Sequence, residues 1–227
     1  MTYLLIYQPL YNILALLSFL FRGNVGWAIF VLAILIRLAL LPLNRKNTLE
    51  QTKLAKVQPE LKEIQKKYKN DPLKANQLTR ELFQREKLSL SGPFVGIFIQ
   101  LGIFIFLFIF FRQAITLTDW SVHFYPFLHF KLTLNYIFLG FIHLQNPNLL
   151  LVIISAILNI ISALLQPTSG KQNKTMLILF PLIILAYWKV LPAAIVVYWI
   201  AMTLVGIFEA LISKKTLPQL EATTKKV

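Results

Sequence analysis

Apolar residues in this chain gather into stretches of about bilayer-crossing length, and the segments between them are polar and mostly basic. The run from Trp27 to Leu43 contains a single charge, Arg37, and predicts a span over Gly26 to Leu43. Similar stretches predict a second span over about Pro93 to Phe111 and a third over Leu149 to Gln166. The apolar stretch from Met176 to Leu211 exceeds the ~20 residues that one crossing needs. Trp188-Lys189-Val190-Leu191-Pro192 interrupts it, so it reads as two spans, about 175–188 and 192–212, with an interfacial aromatic and a proline at the turn.

Two regions follow other periods. Leu54, Val57, Leu61, Ile64 and Tyr68 recur at alternating intervals of three and four, the seam of paired helices. Asn70-Asp71-Pro72 supplies a turn, with Asp71 as helix cap and Pro72 in the first helical turn. A second amphipathic stretch through Leu78, Leu82 and Phe83 ends at Ser89-Leu90-Ser91-Gly92-Pro93, so an antiparallel helical hairpin is predicted. Near the start, residues 3–21 are apolar but carry Gln8, Pro9 and Asn12, with no basic segment ahead of them as a signal peptide would have. Leu10, Ile13, Leu14 and Leu17 share a helical face, which favours a helix lying in the outer interface over a sixth span.

Composition and charge orient this pattern. With 57% apolar residues and a mean hydropathy of +0.65, the chain is more apolar than a soluble core requires. Its net charge of +14 is concentrated: twelve Lys/Arg face six Asp/Glu between Arg45 and Lys87, and Lys171/Lys174, Lys214/Lys215 and Lys225/Lys226 add basic clusters. Basic segments stay in the cytoplasm. The expected fold is therefore an all-α polytopic membrane protein with five transmembrane helices, N-terminus outside and C-terminus inside. Its parts are an outer interfacial helix over 1–24, a first span over 25–44, a cytoplasmic hairpin over 45–91, a second span over 92–112 and an outer loop over 113–147. The third to fifth spans lie within 148–213 with a short cytoplasmic loop at 167–175, and a basic tail covers 214–227. Cysteine is absent, which excludes disulfides, thiolate metal sites, Cys nucleophiles and a lipidated Cys.

Arg37 is the leading candidate for function, because a guanidinium at the centre of a spanning helix costs roughly 2.5–3.5 kcal/mol. It lies six residues from the cytoplasmic end of its predicted span, and Gln100 and Asn159 each lie seven from theirs. At ~1.5 Å per residue these three share one depth, roughly 9–11 Å from the cytoplasmic side. Thr203 and Glu209 occupy the inner half of the last span, with Glu209 nearer the interface, whereas the outer halves are apolar, as Phe104 to Phe111 illustrates. A polar layer in one leaflet implies a hollow open to the cytoplasm and sealed outward. The alternative reading is that Gln100, Asn159, Ser155 and Ser162 are interhelical hydrogen-bond glue.

Catalytic readings find no support: there is no paired intramembrane aspartate, His-Glu-x-x-His helix, Gly-x-Ser-x-Gly elbow or P-loop. His123, His129 and His143 fall in the outer loop away from any carboxylate cluster, so ordinary packing outweighs a metal site. No enzyme activity, metal or cofactor is expected. Inverted repeats or matched broken helices, the marks of many transporters, are absent as well.

Taken in order, these residues resemble the YidC/Oxa/Alb membrane protein insertases. The resemblance is carried by Pro9-Leu-Tyr-Asn12, Gly26-Trp27-Ala28-Ile29, Ile36-Arg37-Leu38 and Leu41-Pro42-Leu43, then by Val57-Gln58-Pro59-Glu60-Leu61 and Ile64 to Pro72. It continues through Gly92-Pro93, Ile99-Gln100, Asn135 to Gly140, Leu191-Pro192-Ala193-Ala194 and Val197-Tyr198-Trp199, and so covers nearly the whole chain. It implies a five-span core enclosing a hydrophilic groove in the inner leaflet, with Arg37 at the position of the family's arginine in the first core span. A short bacterial form in the inner membrane is expected. The family's last span has an Asn-rich end with Gln near its exit, where this chain has Ala201-Met202-Thr203 and Glu209.

The implied partners are nascent membrane proteins and the lipid bilayer, with the ribosome and a Sec-type translocon as further candidates and no specific nucleic-acid sequence. Arg37 would attract acidic residues of the passenger, while Gln100, Asn159, Ser155, Ser162, Thr203 and Glu209 line the groove. The basic hairpin residues Lys53, Lys56, Lys62, Lys66, Lys67, Arg80 and Arg85 would meet lipid or partner. Two readings from other classes stay open: a small-solute transporter or channel, and a structural adaptor that uses only the hairpin.

Overall fold

The computed structural model describes residues 7–86, 88, 92–117, 119–126, 132–165, 182, 185–186 and 188–224. Within them the side chains of 48, 49, 51, 92–97, 99, 100, 104, 122 and 213–224 lie outside the description. The fold is mainly helical: α1 (Gln8–Leu20), α2 (Val25–Ala39), α3 (Leu41–Lys67), α4 (Pro72–Arg85) and α5 (Gly92–Ala114), a two-stranded sheet of β1 (Ile137–Phe138) and β2 (Ile142–His143), then α6 (Leu149–Leu165) and α7 (Ala193–Thr224). Helix α7 is the pillar of the bundle, packing against α6, α2 and α5, while α1 lies along α2.

The first expected span is shorter than the sequence suggests. Helix α2 stops at Ala39, Leu40 closes it, and α3 starts at Leu41 after a bend of 58°. Pro42 accounts for the corner: its missing N–H and fixed φ suit the first turn of a new helix and not the interior of an old one. Helix α3 thus begins at Leu41, four residues ahead of the expected start of the hairpin at Arg45. At the other end, α7 runs through the expected start of the tail to Thr224, 32 residues in all, about 48 Å. Among the described residues, Ala193–Ile212 is the one stretch long and apolar enough to cross a bilayer alone; α2 with α3 would make a second as a bent pair. The expected span 175–188 and the loop 167–175 lie almost wholly outside the described residues.

The hairpin forms as its turn chemistry dictates. The Asp71 carboxylate accepts the Lys74 backbone N–H at 3.0 Å, Pro72 sits in the first turn of α4, and the chain reverses. Val57 of α3 then meets Leu82 and Phe83 of α4, with Leu54, Leu61, Ile64 and Leu88 around them. The last seam residue, Tyr68, instead offers its ring face to the Lys67 and Lys74 ammonium groups at 5.8 and 5.2 Å.

Helix α1 buries Tyr11, Asn12, Leu14, Ala15, Leu17 and Ser18 and leaves Ile13, Leu16, Phe19 and Leu20 exposed. Its buried face is therefore rotated from the expected Leu10/Ile13/Leu14/Leu17 stripe, and the cause is Asn12. The Asn12 amide donates to the His123 carbonyl at 2.9 Å and its oxygen accepts the Tyr125 N–H at 2.9 Å, tying α1 to the segment after α5. The polar side chain that counted against a transmembrane helix is a stitch.

More such stitches close this end of the bundle. Val25 N–H donates to the Asn135 carbonyl at 3.0 Å, Asn135 N–H to the Gly23 carbonyl at 2.9 Å, and the Asn24 amide to the Ile137 carbonyl at 3.0 Å. Trp120 donates to the Ala114 carbonyl at 2.9 Å, and Gln145 to the Ile115 carbonyl at 2.7 Å, which satisfies acceptors left over where α5 ends. The first N–H groups of α7, at Ala193 and Ala194, find the Asn146 and Leu144 carbonyls at 2.9 and 3.0 Å. Gly26 lets the sheet dock: a Cβ there would sit 2.4 Å from the Phe138 ring.

Candidate functional site

Among the described residues, four helices of the bundle, α2, α5, α6 and α7, change character along their length. In α7, Ala193 to Tyr198, Ala201 and Met202 are buried, yet between Thr203 and Ile212 only Gly206 is. In α2, Val25, Gly26, Ala28, Ile29, Leu32 and Ala33 are buried and nothing from Ile34 to Ala39. Helix α5 repeats this, with Leu107, Phe110, Phe111 and Ala114 buried and no described side chain before Leu107. So does α6, buried at Leu151, Val152, Ser155 and Ala156 and thereafter only at Ser162. All four helices are tightly packed at the end holding β1 and β2, and open at the end where the α3–α4 hairpin attaches.

Arg37 stands in the open half, in the last turn of α2, where the partial negative charge of the helix end favours a cation. It is not alone. Its Nε donates to Glu209 Oε1 at 3.3 Å and its Nη2 to Glu209 Oε2 at 2.7 Å, a two-pronged ion pair joining α2 to α7. The two side chains are 18% and 23% exposed, so the pair is neither sealed in the core nor out in bulk water. The sequence places Glu209 nearer the interface than Arg37 and leaves the arginine without a partner; in the folded chain the two share one level. Gly206, one turn before Glu209, provides the room, since a Cβ there would be 3.3 Å from Arg37 Nη2. Gly206 was missed from sequence, although a glycine one turn from the one carboxylate of the apolar stretch Ala193–Ile212 is a signal of close approach.

The other expected residues are distributed as follows. Among the described residues, the Asn159 amide donates to the Ser155 carbonyl at 2.8 Å, one turn back on its own helix, a bond that reinforces α6. Ser155 and Ser162 are buried on the face of α6 that bears Leu151, Val152 and Ala156, and Thr203 is half-buried on α7 above Gly206. The Gln100 side chain lies outside the described residues. On the hairpin, Lys53, Lys56, Lys62, Lys66, Lys67, Arg80 and Arg85 are all exposed. Arg85 is already paired: it donates to Glu60 at 2.6 Å and Glu86 at 3.1 Å, which raises its pKa through those hydrogen bonds and charges. A shallow cleft of about 560 Å³ between α3 and α4 is lined by Glu60, Glu63, Glu81, Lys67, Tyr68 and Arg85 among others, a mixed-charge surface. His123 lies with its ring 4.3 Å from that of Tyr11, and among the described residues no cluster of potential metal ligands occurs.

Comparison with known proteins connects this arrangement to a family. The family model for the 60Kd inner membrane protein matches residues 16–220. A membrane protein insertase YidC of Cupriavidus taiwanensis is 31% identical over 192 residues, covering 82% of this chain and 31% of the relative. That of Wolinella succinogenes is 29% identical over 215 residues, 92% of this chain and 37% of the relative. That of Fusobacterium nucleatum is 29% identical over 188 residues, 82% of this chain and 84% of the relative. The chain thus spans about a third of the first two relatives and most of the third. With the family model matched over most of its length, this chain, a protein of the bacterial inner membrane, belongs to the 60Kd inner membrane protein family.

Proposed function

We propose that this chain is a membrane-protein insertase: it receives nascent hydrophobic segments from the cytoplasm and passes them to the bilayer through a hydrophilic groove in the open half of the bundle. The observation that carries this reading is the ion pair of Arg37 and Glu209 set where all four helices lose their packing. A charged pair is costly in hydrocarbon unless water or protein surrounds it. An open half around the pair supplies that water, and the packed half beyond it keeps the membrane sealed.

In this reading five spans cross the membrane with the hairpin and tail in the cytoplasm, as the distribution of Lys and Arg favours. The passenger's flanking polar stretch enters the groove, where Arg37, Thr203 and Glu209 replace part of the hydration it loses. An acidic residue of the passenger is drawn to Arg37. The apolar segment partitions into lipid along exposed side chains such as Leu35, Leu38, Leu204 and Phe208, and its burial drives the step. The work is physical, with no covalent chemistry. The exposed lysines of α3 and Arg80 of α4 hold the hairpin near anionic head groups or an acidic partner such as the ribosome.

The test is complementation of an insertase-depleted bacterium, read out by insertion of a small single-spanning passenger. Restored insertion supports the reading. Passage of ions or solutes through liposomes containing the purified protein, without complementation, would replace it with a channel. Activity that survives groove substitutions but is lost with the hairpin would make it an adaptor.

A further inference from the structure

We propose that Glu209 is a resident occupant of the Arg37 site, a carboxylate built into the chain that an acidic passenger must displace, so that it sets how strongly the groove prefers acidic tails. This rests on the insertase reading only for the identity of the ligand; the exchange itself follows from geometry. The carboxylate takes the Nε and Nη2 edge of Arg37 with both oxygens, the same two-pronged arrangement that a passenger aspartate or glutamate would use. One edge cannot serve two carboxylates in that way.

Three features make the occupant exchangeable. The pair is about one-fifth exposed, so water reaches it and the released Glu209 stays hydrated. Replacing one carboxylate by another on the same guanidinium leaves net charge and hydrogen-bond count at Arg37 unchanged, whereas simply breaking the pair would leave a charge uncompensated. Gly206 lets the Arg37 guanidinium lie directly against α7, a Cβ there being 3.3 Å from Nη2, so the Gly206 position presents no side chain that an incoming carboxylate would have to push aside. If Glu209 holds Arg37 in most molecules, the apparent affinity for an acidic ligand falls in proportion to the fraction left free, about tenfold when one molecule in ten is free.

The experiment compares the chain with Glu209→Gln and Glu209→Asp in lipid nanodiscs. The probes are two apolar helical peptides that differ only in tail, one with two Asp and one with two Asn, followed by quenching of protein tryptophan fluorescence. The readout is the ratio of the two affinities, which a general folding defect does not move. Glu209→Gln should raise the preference for the Asp tail about fivefold or more, and Glu209→Asp, which keeps the competing charge, should stay near the parent. An unchanged or reduced ratio in Glu209→Gln overturns the proposal, the reduced ratio meaning that Glu209 positions Arg37. Insertion of the same segments in cells is scored separately, so that a shifted binding ratio without any insertion by the parent chain would reject the insertase reading and leave the exchange standing.

Discussion

The two ends of the bundle are built from the same helices and from similar apolar residues, yet they are stabilised by different interactions. At the β1–β2 end, side chains such as Phe110, Phe111, Ile195 and Val152 are fully buried, and backbone groups of the connecting segments cap the helices. At the hairpin end the apolar residues turn outward, as Leu164 at 74% and Phe208 at 64% exposure do, and the described contact between α2 and α7 there is an ion pair. Interlocked packing fixes the helices at one end; at the other, among the described residues, the ion pair of Arg37 and Glu209 joins α2 to α7. On the insertase reading proposed above, the packed end would keep the barrier to the far side and the open end would admit a guest.

The largest effect should come from attacking the packed end. Phe110→Ala removes a ring that touches Tyr7, Tyr11 and Phe111 and should cost about 3 kcal/mol in micelle unfolding experiments, while Leu164→Ala should stay within about 0.5 kcal/mol. Similar losses at both sites would mean that the two ends do not differ in packing. Accessibility gives the same contrast without unfolding: cysteines at 159, 203 and 209 should react with a water-soluble thiol reagent from the cytoplasmic side, and those at 110 and 197 should not.

The second effect concerns the pair itself. A double-mutant cycle of Arg37→Ala and Glu209→Ala should give a coupling of about 1–3 kcal/mol, because each single change strands a charge that the double change removes. Additive losses would show that the two groups act independently and that the open end is held by something else.

How much of this was legible in the sequence follows the reach of each interaction. The hairpin could be read because its signals are local: Asp71 and Pro72 cap their own helix, and the Leu54/Val57/Leu61/Ile64 stripe finds Leu82, Phe83 and Leu88 on the stretch that follows the same turn. Arg37 stood out because one charge in a long apolar run is costly wherever it goes. Its partner did not, since Arg37 and Glu209 are 172 residues apart and meet only through the rotation of α2 against α7. The partners of Asn12 were hidden for the same reason, because His123 and Tyr125 lie more than a hundred residues away. The corner at Leu40 was hidden differently: Leu41-Pro42-Leu43 continues the hydropathy of the span while its backbone already belongs to the next helix.

Gly26 sharpens the picture of the packed end. Gly26→Ala would place a methyl 2.4 to 2.7 Å from three carbons of Phe138, and the ring would have to swing off α2. A loss of about 1–2 kcal/mol is expected, and combining it with Phe138→Ala should remove most of the added cost. At Gly102 in the open half of α5, where a Cβ meets nothing within 4 Å, the same substitution should be neutral or slightly stabilising through helix propensity.

The smallest effect is a dependence on pH confined to the packed end. His123 packs on Tyr11, and burial lowers its pKa below the ordinary 6.5. The folded chain therefore keeps this ring neutral at a pH where the unfolded chain binds a proton, so its contribution to stability is intact above about 6.5 and is lost as pH falls through that value. The ring remains partly wetted, and solvent screening limits the change to a few tenths of a kcal/mol. Replacing it, His123→Phe, keeps an aromatic ring against Tyr11 and leaves the backbone carbonyl that receives Asn12 untouched. Unfolding measured at pH 7.5 and 5.5 should therefore show a smaller drop in the variant than in the parent. An equal drop would assign the acid sensitivity to another group, and not to Asp119, whose carboxylate is held below its usual range by its hydrogen bonds from Ser121 and stays ionised throughout that interval.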